Sequence, residues 1–197
     1  TNLDIGFFEI DSAAVNTLGR SAIDLTRLGK VALEFGRLAF LYGYPSQLAR
    51  MIPRANKAGD IPIGSITYPS PLMDPREWPD SDPTKRPLDS TVDCVLRYSL
   101  SDEFLTIVPR GKGRFLPPND LGSQLPEAFG LSGGGIWQSN GRTDDVWSAN
   151  DFQLIAIQSS WTADRNHLRA IQIHHWLDLI RSHYPDLTTS IDSSDDP

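Results

Sequence analysis

The chain of 197 residues contains a single cysteine, Cys94. An internal disulfide is therefore excluded, and the lone thiol fits a reducing, cytoplasmic setting. Long apolar runs are also missing, so no stretch spans a bilayer as a helix. No signal-peptide pattern opens the chain. Nor is there an excess of basic residues. With 18 Lys and Arg against 25 Asp and Glu, the formal net charge is −7. That balance argues against nucleic acid or an anionic membrane as the main partner. No Cys/His/Asp spacing of a metal site occurs, and no cofactor is implied. Internal repeats are absent as well.

What remains suits a packed globular core, with 39% apolar residues and a length sufficient for one large domain or two small ones. The opening "TNLDIGFFEI" has no starting methionine and goes at once into a β-prone run. It reads as a chain that starts in mid-fold: a cleavage product, an excised fragment or one piece of a larger protein. Residues 11–29 show no clean period and read as a connection. "RLAFLYGY" (37–44) reads as a buried strand, and so do "TVDCVLRYSL" (91–100), "EFLTIVP", "GGIW", "DFQLIAIQSSW" and "HLRAIQI". Residues 69–90 hold six prolines and many charges, the pattern of a surface excursion. Trp176, Leu177, Leu179 and Ile180 form a helical stripe in "HHWLDLIRSHY" (174–184), which Pro185 ends. The acidic tail 185–197 reads as flexible. Short strands joined by Gly/Pro loops, with one helix at the end, predict an all-β barrel or sandwich.

One loop carries possible chemistry. In "EAFGLSGGGIWQ" (127–138), Ser132 sits among four glycines. Glycine admits backbone conformations closed to other residues and lets another molecule come close. A serine there is either a nucleophile held on a tight turn or one polar residue in a flexible loop.

Five stretches, taken together and in order, resemble the chymotrypsin-like (trypsin-like) serine peptidases, in the style of bacterial intracellular members. "NLDIGFFEI" is similar to the strand carrying the catalytic aspartate, with Asp4 on that position. "FLYGYP" is similar to the strand opening the second barrel. "FGLSGGGIW" resembles the nucleophile loop G-D-S-G-G-P. "LIAIQSSW" resembles the strand lining the substrate cleft, and "HLRAIQIHHWLDLI" the closing strand and C-terminal helix.

The resemblance implies an antiparallel six-stranded Greek-key barrel, the second half of a double barrel. Residues 1–30 would be a remnant of the first barrel and the connection, 31–184 the second barrel plus helix, and 185–197 the tail. It implies a serine endopeptidase with Ser132 as nucleophile and Asp4 in the triad. The N–H groups of Gly130 and Ser132 would form the oxyanion hole, and Ser159, Ser160, Trp161 and Glu127 would touch substrate. Leu131 departs from the family, standing where animal members have an aspartate that anchors a newly freed N-terminus. An extra residue around Ser159 and Ser160 leaves open which serine faces the aspartate.

The base is also displaced. The family places its histidine several dozen residues before the aspartate, whereas His167, His174, His175 and His183 all follow Ser132. The histidine is therefore expected from a preceding segment or from another chain completing the first barrel, with a peptide or protein as substrate. A catalytically inactive peptidase-like binding or scaffold module is the alternative. A third reading rests on Gly130–Gly134 matching G-x-S-x-G, the nucleophile elbow of α/β-hydrolases. That elbow needs a helix directly after the serine, and "GGGIWQSNGR" is among the least helical stretches of the chain. Cys94 lies within an apolar strand and reads as a core thiol.

Overall fold

Alternation along "LAFLYG" puts Ala39, Leu41 and Gly43 on one buried face and leaves Leu38, Phe40 and Tyr42 more exposed. That period of two is the signature of a strand with one covered face. In the computed structural model, residues 6, 13, 27–28, 33–46, 64–81, 84–99, 106–109, 126–139, 151–162 and 164–187 are described. Seven strands run through them: β1 (Leu38–Gly43), β2 (Gly64–Pro71), β3 (Asp93–Arg97), β4 (Thr106–Pro109), β5 (Gly135–Ser139), β6 (Phe152–Trp161) and β7 (His167–Gln172). They form one sheet in the order β3-β7-β6-β5-β1-β2-β4. Every neighbouring pair is antiparallel. Of the β-prone opening at residues 5–10 Gly6 alone is described, and Asp4 lies outside the described residues.

The sheet curls into a half-barrel. Just past β2, Leu72 makes an antiparallel bridge to Leu96 of β3, and the Met73 N–H donates to the Val95 carbonyl at 2.9 Å. One end of β2 thus meets the strand at the far edge. Two bulges on β6 supply bending. Ile136 pairs with Ala156 but Trp137 with Leu154, which leaves Ile155 as an extra residue. Gln158 pairs with Ala170 and Ser160 with Arg169, which leaves Ser159 as a second. Bulges of this kind bend a strand and increase its twist. The extra residue noticed near Ser159 is absorbed in that way.

The proline-rich reading of 69–90 is corrected at its start, because Pro69, Ser70 and Pro71 belong to β2. Parity explains how a strand holds two prolines. The Leu72 N–H donates to the Arg37 carbonyl at 3.0 Å, so residues of Leu72's parity aim their amides at β1. Pro69 and Pro71 have the opposite parity. Their missing N–H groups fall on the other side, where the described residues of β4 pair with Gly64–Thr67. From Met73 onward the segment leaves the sheet, as expected, through a 3-10 turn at Pro75–Glu77.

The core gathers Leu41, Ile66, Leu72, Leu96, Leu131, Ile136 and Leu168 around Tyr98, all fully buried. Each large apolar side chain removed from water contributes about 1.5–3 kcal/mol. One helix follows β7 directly: α1 (Ile173–His183) buries Ile173 and Leu177, with Trp176 and Ile180 half-buried on the same stripe. No helix among the described residues is long and apolar enough to cross a membrane.

Cys94 is buried in β3, and that burial, with the Asp93 charge beside it, pushes its thiol up to about 12. The thiol stays protonated near neutral pH and is a poor nucleophile there. A thiol-reactive dye at mildly alkaline pH should label Cys94 only after denaturant is added. Rapid labelling of the native protein would contradict this placement.

Candidate functional site

The loop entering β5 is fixed before it reaches Ser132. Tyr98, buried beneath it, donates its hydroxyl to the Pro126 carbonyl at 2.6 Å. The Ser46 N–H, just beyond β1, donates to Phe129 O at 2.7 Å. Leu131 turns its side chain into the core, and its N–H donates to Ala128 O at 3.1 Å. After the serine, Gly133 N–H donates to Gln158 O and Gln158 N–H to Gly134 O, both at 2.8 Å. Ser132 is thus held between β1 and β6 with its own side chain exposed.

Glycine is required at specific points of this turn. Gly130 and Gly133 have φ of +86° and +87°, in the left-handed region. A Cβ on Gly130 would stand 2.7 Å from the Ser46 amide nitrogen. A Cβ on Gly134 would stand 2.8 Å from Leu131 O and 2.9 Å from Tyr42 O. The left-handed conformation costs a side-chain-bearing residue about 1–2 kcal/mol before any clash is counted. Gly130→Ala should therefore lower the unfolding midpoint and distort the turn. A thermal melt indistinguishable from wild type would show that the turn is looser than described.

The N–H groups of Gly130 and Ser132 have no acceptor among the described residues. These are the two donors expected to form an oxyanion hole. The Ser132 hydroxyl donates weakly to Ser159 O at 3.3 Å. Both Gly130 and Ser132 line a cleft of about 290 Å³, together with Tyr42, Gly43, Tyr44, Leu131, Gly133–Gly135, Trp137, Leu154 and Ile157.

Of the other expected site residues, Ser159 lies against Ser132, and Ser160, Trp161 and Glu127 do not line the cleft. Ser159 touches Ser132 through its carbonyl, while its hydroxyl donates to Arg169 O at 3.2 Å. Ser160 and Trp161 line a separate, much smaller depression with Lys85, Arg86 and Arg169. Trp161 packs edge-on against Tyr98 and against exposed Phe129, at 6.2 and 5.9 Å between ring centroids. Glu127 is exposed at the start of the loop and does not line the cleft.

None of the four histidines lines the cleft. His167 pairs through Nδ1 with Asp164 at 2.8 Å. His174 and His175 stack on α1 with centroids 4.0 Å apart, and His175 Nε2 donates to Thr91 O at 3.0 Å. Burial, and then the His175 charge, lowers the His174 pKa. His183 lies against Leu179 O at the helix end. The elbow of an α/β-hydrolase is not built here, because Ser132 leads into β5 of an antiparallel sheet. Among the described residues no group of His, Cys, Asp and Glu is placed to hold a metal ion.

Sequence reasoning missed the cleft wall. Tyr42 and Trp137 occupy the more exposed phase of β1 and β5, where aromatic residues at outward positions were the available signal. Comparison with protein-family models, with curated proteins and with solved structures finds no match.

Proposed function

We propose that the protein is a serine endopeptidase domain of the chymotrypsin-like kind, with Ser132 as nucleophile. The observation that carries this reading is the Ser132 turn itself: an exposed hydroxyl on a glycine loop, beside two backbone N–H groups with no acceptor among the described residues, at the mouth of a cleft. The strand order supports a Greek-key barrel. The consecutive strands β5, β6 and β7 lie between β1 and β3, so the chain makes a long return crossing after β3.

In this mechanism a histidine from a preceding segment or another chain takes the Ser132 proton as the oxygen attacks the scissile carbonyl. Asp4 orients that histidine. The Gly130 and Ser132 N–H groups receive the negative charge that develops on the carbonyl oxygen. The histidine then protonates the leaving amine, and water releases the acyl group by the same steps. Burial of Leu131 holds the turn by apolar packing where animal relatives of this style use a charged anchor. The turn is thus formed without an activating ion pair at that position.

The absence of every histidine from the cleft lining favours a second reading, an inactive peptidase-like scaffold. Turnover separates the two. The full-length protein should hydrolyse activated esters and a protein substrate with saturation, and a serine-directed phosphonate should stop it. A folded full-length protein with no turnover on either substrate class would leave the scaffold reading.

A further inference from the structure

Pairing register places Gly135 between two larger residues. It lies opposite Tyr42 on β1 and opposite Ile157 on β6. A Cβ at Gly135 would stand 2.7 Å from Trp137 Nε1 and 2.8 Å from Leu154 Cδ1. The missing side chain therefore keeps the floor of the cleft open. The Tyr42 and Tyr44 rings meet edge-on at 5.6 Å, and their hydroxyls lie 3.2 Å apart. This pairing braces one wall.

Among the described residues, the cleft lining contains no Asp, Glu, Lys, Arg or His. At its edge the Arg27 guanidinium lies over the Trp137 ring, 5.4 Å from the centroid. In a chain of net charge −7, the described residues lining this concavity are uncharged. A charged group entering it would lose water and gain no counter-charge from the lining, whereas an apolar group would gain from burial. The volume of about 290 Å³ suits side chains of a bound segment, since pockets for drug-sized ligands start at about 300 Å³. The Gly130 and Ser132 amides at the same cleft have no acceptor among the described residues, and a peptide carbonyl supplies one.

We infer that this cleft binds an aromatic or aliphatic side chain of a peptide whose carbonyl sits at the Gly130 and Ser132 amides, with Tyr42, Trp137, Leu154 and Ile157 setting the selectivity. The inference rests on reading the Ser132 turn as a place where peptide backbone binds, and it assigns specificity to residues outside the Ser159–Trp161 strand end.

Binding to full-length Ser132→Ala protein tests it without turnover. The probes are blocked tetrapeptides carrying Phe, Leu, Lys or Glu at each position in turn, followed by amide and indole NMR shifts. At one position, Phe and Leu peptides should bind at least about tenfold tighter than Lys or Glu peptides, because only they fill an apolar pocket. Their shifts should centre on Tyr42, Gly130 and the Trp137 indole. Ile157→Asp should invert the ranking toward Lys. Tyr42→Ala, checked for folding by thermal melt, should weaken Phe binding and leave Glu binding unchanged.

Equal affinity across the series overturns the inference, as do shifts confined to Phe129 and Trp161. A change in solution mass on Tyr42→Ala, with no effect on peptide binding, also overturns it and marks the cleft as a contact between chains. Selective apolar binding with no hydrolysis by wild type would sink the catalytic reading and leave this assignment standing. Hydrolysis with no selectivity at the cleft would do the reverse.

Discussion

In the complete protein, Ser132→Ala should reduce peptide or ester hydrolysis about 10⁶-fold, because nucleophile and base act as a unit and removing one member forfeits nearly all triad catalysis. The fold should survive. The Ser132 side chain is exposed, and among the described residues its hydroxyl makes one weak hydrogen bond, of 3.3 Å to Ser159 O. Little packing therefore leaves with the hydroxyl. Asp4→Asn should cost less, about 10⁴-fold, because it misorients the histidine and spares the nucleophile. The comparison is turnover of an activated ester by wild type and each variant, with circular dichroism on the same samples. Wild-type activity in Ser132→Ala would mean that the surrounding glycines serve a loop and nothing more.

Asp93→Ala should destabilise the protein by about 3–5 kcal/mol, the range for breaking a buried ion pair by removing one partner. Asp93 is 0% exposed and accepts from Arg169 Nε at 2.8 Å and Nη2 at 2.7 Å. It also accepts from Arg86 Nη2 at 2.6 Å and from the Asp89 N–H at 2.9 Å. Arg169, only 8% exposed, would be left as a buried cation. Arg169 also donates to Arg86 O and Pro87 O, so the proline-rich segment is pinned to β3 and β7 through this cluster. Arg86→Ala should cost less, since that side chain is partly exposed and leaves the Arg169–Asp93 pair in place. Urea unfolding midpoints with matched slopes measure both. A loss under about 1 kcal/mol for Asp93→Ala would show that water reaches the cluster in solution.

Five strands and the helix were legible because their side chains alternate or repeat on a simple period. β1, β3, β5, β6 and β7 follow the readings of 37–44, 91–100, "GGIW", "DFQLIAIQSSW" and "HLRAIQI" within a few residues. "EFLTIVP" gave β4 (Thr106–Pro109) as well. β2 was hidden by its two prolines, which argue against a strand unless their amide side faces no partner. That condition depends on which side of β2 each amide faces, which is a fact of tertiary pairing.

Ser132 was legible because glycines on both sides of a polar residue demand a backbone explanation. The cleft wall was not, because Tyr42, Gly135 and Ile157 come together only through register across three strands. Ser160 and Trp161, read as substrate contacts, follow the Ser159 bulge and line a separate depression with Lys85 and Arg86.

The central claim is that Ser132 is an activated nucleophile, and covalent capture tests it most directly. The full-length protein is incubated with a serine-directed fluorophosphonate, digested, and mapped by mass spectrometry. The account predicts a single stoichiometric adduct on Ser132, formed by displacement of fluoride by the serine oxygen and abolished by prior unfolding. Native, folded protein that stays unmodified at Ser132, or carries its adduct on another residue, would contradict it.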